Sequence, residues 1–171
     1  PWDPYLALTG PSLPPPGKRL GPGALHLYLD LSLAYPLHQR GIERVGLLHL
    51  GDLCLRGTLL DQASQSVVAE ITAAGGQAAA FDCDITDRAS VDAAVAATQA
   101  QLGPVAVLVN NAGWDVFKPF TKTVPAEWDR LIAINLTGAL HMHHAVLPGM
   151  AERKKGRIVN VASDAARVGS S

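Results

Sequence analysis

Residues of types that bind flat ligands follow the most apolar run in the second half of the chain. They form the tetrapeptide Asn-Asn-Ala-Gly at 110–113. Ala112 and Gly113 are small enough to let the backbone approach a ligand closely, and the amides of Asn110 and Asn111 can tie neighbouring chain segments together. Such a tetrapeptide also occurs in ordinary turns, so its residue types alone do not decide between a turn and a ligand site.

Two single polar residues further along the chain could also act on a ligand. Asn135 falls on a helical stripe of apolar residues spaced three and four apart, namely Trp128, Ile132, Ala139, Met142 and Val146. An amide there must find hydrogen-bond partners or cost about 1–3 kcal/mol, so a satisfied structural asparagine is the alternative to a functional one. Ser163 follows the apolar run 158–161, where its hydroxyl could begin a turn or face a substrate.

The elements that carry these residues alternate regularly after residue 58. The predicted order is a helix that stops at Gly75-Gly76, a strand over 78–81, a helix capped by Thr86 or Asp87, a strand over 105–109, a long helix from Pro125 toward Gly149, and a strand over 157–161. Strands joined by crossover helices predict an α/β fold with a Rossmann-like, doubly wound parallel sheet, incomplete in this chain. Ligands of such sheets bind beyond the carboxyl ends of the strands, which here are 82–86, 110–113 and 162–164.

Residues 1–58 are rich in Leu, Pro and Gly and do not continue this pattern. Leucines alternate from 25 to 33 and a short apolar run covers 45–50, and both patterns favour strands. Prolines cluster at 11–16, where they oppose regular helix and sheet. We therefore divide the chain into an irregular segment of doubtful origin at 1–58 and a regular α/β part at 59–171.

The composition excludes several classes of protein. The 171 residues carry a net charge of -1, and 14 Lys and Arg stand against 15 Asp and Glu without forming a stripe, so no nucleic-acid partner is expected. No apolar run reaches the ~18 residues that a membrane span needs. Cys54 and Cys83 form no paired motif, which favours a reducing compartment and a cytoplasmic protein. His141, His143 and His144 lack a carboxylate that would complete a ligand set, so no metal is expected.

Four segments of the chain resemble successive motifs of the short-chain dehydrogenase/reductase family, in the family's order and spacing. They are 84–86 (Asp-Ile-Thr), 110–113 (Asn-Asn-Ala-Gly), 134–138 (Ile-Asn-Leu-Thr-Gly) and 156–163 (Gly-Arg-Ile-Val-Asn-Val-Ala-Ser). A single match could arise by chance, whereas four in order argue for common descent. The resemblance covers residues 59–171 as the central part of the family's domain. It implies an NAD-dependent oxidoreductase of a small molecule, with NADP left open.

The resemblance also implies a role for each matching residue. Asp84 and the backbone of Ile85 would border the adenine ring, and residues 110–113 would line the adenosine side of the cofactor. Asn135 would hold a water of the proton relay, and Ser163 would hydrogen-bond the substrate hydroxyl or carbonyl. A family tyrosine, with its pKa lowered by a nearby lysine and by the nicotinamide charge, would act as acid and base.

The resemblance extends to a substrate class. Segments 110–120 and 163–169 look most like those of family members that oxidise an alicyclic 2-hydroxyacyl-CoA with NAD. The expected substrate is therefore a secondary alcohol carried on an acyl-CoA thioester. Family members pair the long helix with its copy in dimers and tetramers, so a homo-oligomer is expected for an intact relative.

Two family features are not found in the sequence. The loop Thr-Gly-x-x-x-Gly-x-Gly, which seats the pyrophosphate, should precede Leu59, yet Thr9-Gly10 is followed by prolines. The Tyr-x-x-x-Lys pair does not occur after Ser163. With Pro1 rather than Met as first residue, these departures lead us to expect a fragment that is inactive as it stands. The alternative to an enzyme is then a non-catalytic remnant.

A disturbed reading frame is our hypothesis for residues 1–58, motivated by their Leu-, Pro- and Gly-heavy composition. Sequencing the encoding DNA and translating its other frames tests this hypothesis. It fails if no frame yields a glycine-rich loop.

Overall fold

The computed structural model describes residues 25–28, 44–49 and 57–163. In chain order, the elements are β1 (Leu25–Tyr28), β2 (Arg44–His49), α1 (Gly57–Ala73), β3 (Gln77–Asp82), α2 (Arg88–Leu102), β4 (Val105–Asn110), a 3-10 turn (Phe120–Lys122), α3 (Pro125–Ile132), a π-helical turn (Ala133–Gly138), α4 (Ala139–Glu152) and β5 (Arg157–Asn160).

All five described strands are parallel and form one sheet in the order β3-β2-β1-β4-β5. From β1 the chain adds β2 and β3 on one side of the sheet, and it then adds β4 and β5 on the other side. The direction changes between β1 and β4, which in such sheets is the point beside which ligands bind. The predicted α/β fold with a doubly wound parallel sheet is confirmed.

Two strands come from the part of the chain before residue 58. The alternating leucines and the short apolar run predicted strands there, and β1 and β2 confirm both. β1 is the central strand, because it pairs with β2 on one side and with β4 on the other. The sheet therefore crosses the proposed boundary at residue 58, and the doubtful origin of residues 1–58 stays a prediction.

Local sequence accounts for the helix that follows β3. Asp87 is its N-cap, and its carboxylate accepts hydrogen bonds from Ala89 N at 3.1 Å and Ser90 N at 3.2 Å. One face of α2 is buried, through Val91, Ala94, Val95, Thr98 and Leu102. Gly103, with φ 87, ends the helix in a backbone conformation that favours glycine. The adjacent strand β4 is covered on both faces, as its uninterrupted apolar run predicts.

The predicted long helix from Pro125 toward Gly149 is present but contains a π-helical turn. A π turn bonds residue i to i+5 and so takes up more residues than an α turn, which rotates the later side chains around the axis. The apolar stripe through Asn135 therefore does not stay on one face. Ile132 is 55% exposed, whereas Met142 and Val146 further along are buried. The apolar stripe on which Asn135 was predicted to lie is thus buried only in its later part, at Met142 and Val146.

Gly138, the last residue of the π turn, lets the helix approach the loop after β3. A Cβ at this position would lie 2.6 Å from Cδ1 and 2.7 Å from Cγ1 of Ile85, a side chain that is 1% exposed and enclosed by the core. We expect Gly138→Ala to lower the free energy of unfolding by about 1–2 kcal/mol. Overpacking of a core costs about 1–3 kcal/mol, and the gain in helix propensity offsets up to about 1 kcal/mol of it.

Urea unfolding followed by circular dichroism measures this change. Gly113→Ala is the control, because a Cβ there would meet its nearest atom, Asn135 Oδ1, at an ordinary contact distance of 3.6 Å. If Gly138→Ala were as stable as the unmodified chain, the close packing of the helix on Ile85 would be contradicted.

Candidate cofactor and substrate site

The ends of β4 and β5 bring two of the predicted site residues to the same edge of the sheet. Asn110 is in register with Asn160, and Val161 N donates to Asn110 O at 2.9 Å just beyond β5. The side chains are also joined, since Asn110 Nδ2 donates to Asn160 Oδ1 at 2.9 Å. Ser163 lies three residues beyond the end of β5 and is exposed at this edge. The prediction that Asn110 and Ser163 share an edge is confirmed.

Asn110 is a buried polar residue, and only one of its two polar side-chain atoms makes a hydrogen bond to a described residue. The residue is 6% exposed, and within the described part of the chain its Oδ1 has no hydrogen-bond partner. Such an atom is costly unless a water or a ligand group donates to it. The next residues are more open, because Asn111 and Ala112 are half-buried and Gly113 is exposed. This gradient from strand end to surface suits the wall of a ligand crevice.

Asn135 uses its whole side-chain amide to hold the backbone beyond Gly113. Its Oδ1 accepts from Trp114 N at 2.8 Å, and its Nδ2 donates to Trp114 O at 2.8 Å. The residue is exposed rather than buried in the core, but its polar atoms are satisfied. The Arg130 guanidinium lies 4.5 Å from the centroid of the Trp114 ring and steadies the same segment. The predicted role of Asn135 in holding a water stays a prediction.

The loop after β3 is a tight turn organised by a carboxylate. Asp84 Oδ1 accepts from Thr86 N at 2.8 Å and from Thr86 Oγ1 at 2.7 Å. Ser90 Oγ on α2 accepts from Asp84 N at 2.9 Å. Burial, followed by the charges of Asp84 and Asp87, raises the pKa of the Cys83 thiol to about 12. Cys83 therefore stays protonated at neutral pH and is not a nucleophile.

The loop from β4 to α3 carries exposed aromatic residues that the sequence reasoning did not single out. Phe117 is 95% exposed and Phe120 is 74% exposed, and the Phe120 ring stacks on Trp128 with centroids 5.4 Å apart. Lys118 Nζ lies 2.6 Å from Glu127 Oε1 and fastens the loop to the start of α3. This hydrogen bond is the largest cause of a lowered pKa at Glu127. The sequence did contain a signal for this loop, because several aromatic residues cluster there although Phe, Trp and Tyr make up only 5% of the chain.

His141, His143 and His144 lie together on α4. His141 Nδ1 lies 2.9 Å from Ile85 O, and His144 is exposed on the next turn. Among the residues whose side chains the structure describes, no three His, Cys, Asp or Glu come together closely enough to hold a metal ion. Among the described helices, none combines the length and apolarity needed to cross a membrane.

Residues 52–171 match the family model described as short chain dehydrogenase. Because this match covers more than half of the chain, the chain belongs to the short-chain dehydrogenase family. Members are NAD(P)-dependent oxidoreductases built on this α/β sheet. The family assignment made from the four sequence motifs is thereby confirmed.

Curated relatives are named for diverse substrates. The chain is 42% identical over 106 residues to the inactive 2-(S)-hydroxypropyl-CoM dehydrogenase 2 of Xanthobacter autotrophicus, a match that covers 62% of this chain and 45% of the relative. It is 42% identical over 83 residues to acetoacetyl-CoA reductase of Paracoccus denitrificans, covering 48% of this chain and 34% of the relative. The chain thus spans less than half the length of both relatives.

Solved structures of family members share the fold. Actinorhodin polyketide ketoreductase with NADPH is 29% identical, with a TM-score of 0.74 over 86% of this chain and 56% of the ketoreductase. NAD+-bound xylitol dehydrogenase is 28% identical, with a TM-score of 0.71 over 86% of this chain and 56% of the dehydrogenase. One structure holds NADPH and the other NAD+, so fold likeness does not choose between the two cofactors.

The residues at this edge of the sheet fit the adenosine part of a nicotinamide cofactor better than its pyrophosphate. At the adenosine side, the turn at 84–86 and the unpartnered Oδ1 of Asn110 offer polar groups beside small residues. At the pyrophosphate the fit is poor, because the glycine-rich loop of a Rossmann fold belongs between the central strand β1 and β2. Residues 29–43 fill that connection with Gly41 as their one glycine and with Pro36 among them.

Proposed function

We propose that this chain supplies the adenosine-side wall and the substrate-side serine of an oxidoreductase that oxidises a secondary alcohol with NAD. The observation that carries the proposal is the common edge at which Asn110 and Ser163 follow neighbouring parallel strands. Bound NAD would supply the hydride acceptor, a chemistry that belongs to the cofactor. The protein's part is to bind, orient and exclude water.

Each residue would have a limited task. The turn of Asp84 and Ile85 would border the adenine ring, and residues 110–113 would line the adenosine. Asn135 would act indirectly, because it fixes the backbone of Trp114, one residue beyond Gly113. Ser163 would donate a hydrogen bond to the oxygen of the reacting alcohol or carbonyl. None of these groups removes the hydroxyl proton, which requires a residue with a suitable pKa within hydrogen-bond reach.

We propose an alicyclic 2-hydroxyacyl-CoA as the substrate. The likeness of segments 110–120 and 163–169 to enzymes of that type supports this substrate. In addition, one relative is named acetoacetyl-CoA reductase, after a substrate that is a CoA thioester. Phe117 and Phe120 are exposed on the loop that leaves the ligand edge, and their rings could cover an alicyclic group. The reducing cytoplasm and a homo-oligomeric whole protein are part of the same proposal.

A non-catalytic remnant is the second candidate function. Residues 29–43 favour it, because proline and bulky side chains occupy the sequence where backbone N–H groups should meet the pyrophosphate. In a remnant the sheet and the adenosine wall would persist while cofactor affinity is lost.

A titration with NADH and NADPH separates the two candidates for residues 1–171. We expect a dissociation constant weaker than about 1 mM, because the pyrophosphate meets no array of N–H donors, and no reduction of NAD by a 2-hydroxyacyl-CoA. Nicotinamide fluorescence measures binding, and absorbance of the reduced nicotinamide measures turnover. Turnover above that of a Ser163→Ala control would contradict this expectation. Micromolar affinity for NADH would rule out the proposal that the chain is a non-catalytic remnant.

A further inference from the structure

A groove lies between the end of α4 and the start of β5, whereas the ligand edge described above lies at the other end of β5. The groove has a volume of about 380 Å³, and its apolar wall is formed by Leu147, Met150, Ala151 and Ile158. Met150 is 4% exposed and Leu147 is 51% exposed, so this wall extends from the core to the surface. The volume lies within the range of small-molecule sites.

Three cationic residues line the same groove. They are Lys154, Lys155 and Arg157, and each of them is exposed. None of the three forms a salt bridge with any residue that the structure describes. The whole chain has a net charge of -1, so this excess of positive charge is local to the groove. An apolar wall thus stands beside cations that lack an anionic partner in the described part of the chain.

The two lysines are carried by a turn with a defined backbone. Lys154 N donates to Ala151 O and Lys155 N donates to Met150 O, each at 3.0 Å, which is the hydrogen-bond pattern of a Schellman motif. Lys154 has φ 51, the left-handed conformation that glycine usually supplies at this point of the motif. A lysine there strains the backbone, and strained residues cluster at functional sites.

Two further contacts shape the groove. Arg153 Nη2 donates to Val105 O at 2.9 Å and so fastens the turn to the start of β4. Gly156 lets the backbone pass close to the buried Met150, because a Cβ at Gly156 would lie 2.5 Å from Cγ and from Sδ of Met150. The groove is therefore built from backbone that is already held in place, which lowers the ordering cost of binding.

We propose that this groove binds a free alkyl carboxylate, such as the anion of a medium-chain fatty acid. The alkyl chain would lie along Leu147, Met150 and Ile158, and the carboxylate would be bound by Lys154 and Lys155. A purely inorganic anion would leave the apolar wall in water, and a neutral apolar ligand would leave the lysines without a partner. Only an amphiphilic anion complements both. The groove is separate from the proposed cofactor site, so this inference does not depend on that site.

The test is an NMR titration of residues 1–171 with octanoate, in which the amide signals of residues 147–158 should shift. Acetate carries the charge without the chain, and octanol carries the chain without the charge. We expect each of them to bind at least about tenfold more weakly than octanoate. The affinity should rise from hexanoate to octanoate, by up to about fourfold for each buried methylene. It should fall as salt is added, because the lysines are exposed.

Substitutions at Lys154 test the charged part of the groove. Lys154→Gln should weaken octanoate binding by about two- to fivefold, the effect of losing one exposed ionic contact. Lys122→Gln is the matched control, because Lys122 is exposed and does not line the groove. Lys154→Gly removes the cation and also relaxes the left-handed backbone. It should bind octanoate as weakly as Lys154→Gln does, yet unfold at a urea concentration no lower than the unmodified chain.

A substitution at Leu147 tests the apolar part. Leu147→Ser should weaken octanoate binding by about three- to tenfold and leave acetate binding unchanged, because it removes apolar surface from the wall. Leu140→Ser is the matched control, since Leu140 lies on the same helix, is 56% exposed and does not line the groove.

Several outcomes would overturn the proposal. Acetate or octanol that binds as tightly as octanoate would show that the groove recognises charge alone or apolar surface alone. Octanoate binding that Lys154→Gln and Leu147→Ser leave unchanged would place the ligand elsewhere, and no shift at residues 147–158 would exclude the groove. Tighter binding to phosphatidylserine vesicles than to octanoate, weakened by the same substitutions, would identify a membrane surface instead. Amide spectra report whether each variant is folded, and if Leu147→Ser is not, the Lys154 variants decide.

Discussion

Ser163→Ala is expected to lower kcat by about 30- to 1000-fold in a full-length family member that carries residues 59–163 of this chain. This range corresponds to about 2–4 kcal/mol of transition-state stabilisation, the typical loss when one positioned hydrogen-bond donor is removed. The affinity for NAD should change little, because Ser163 is expected to act on the substrate oxygen. Steady-state kinetics with the alcohol and NAD varied separately measure both quantities.

Two further variants control for a structural effect of the substitution. Ser163→Thr keeps a hydroxyl at the same atom and should retain much of the activity. Ser66→Ala removes a hydroxyl from an exposed position on α1, where Ser66 Oγ lies 3.5 Å from Glu70 Oε1, and should leave the kinetics unchanged. Equal losses of cofactor affinity and kcat in Ser163→Ala would instead identify a structural serine.

Local patterns in the sequence predicted most of the fold. The apolar run at 105–109 is uninterrupted because β4 is covered on both faces, and this pattern identified the strand and the site residues after it. Asp87 was one of two predicted caps and is the residue that bonds the first amides of α2. Both features depend on neighbours in sequence, which is why periodicity and residue type were sufficient.

Features that depend on distant residues were not predictable in this way. The strand patterns before residue 58 were visible, but the central place of β1 in the sheet follows from its pairing with β4, which is far along the chain. The π turn departs from the regular period that the stripe analysis assumes. The partner of Asn135 is backbone 21 positions away, and that of His141 is 56 positions away. Residue types gave no signal for either contact.

The largest change in cofactor binding is expected from the connection between β1 and β2. Replacing residues 29–43 with a glycine-rich loop and the helix start of an active family member should strengthen NADH binding by about 10²–10⁴-fold. Each backbone hydrogen bond to a charged phosphate contributes about 1.5–3 kcal/mol, and two such bonds account for this range. The positive end of the helix dipole adds a smaller attraction for the pyrophosphate.

The same exchange with the loop glycines changed to alanine is the matched control. Alanine adds a Cβ where the backbone must approach the pyrophosphate and disfavours the positive φ angles that such loops use, so most of the gain should be lost. Nicotinamide fluorescence measures the affinity of both chimaeras, and amide spectra establish that each is folded. If the glycine-rich chimaera binds no better than the unmodified chain, the missing loop is not what limits affinity. The adenosine wall at 84–86 and 110–113 would then itself be unable to bind the cofactor.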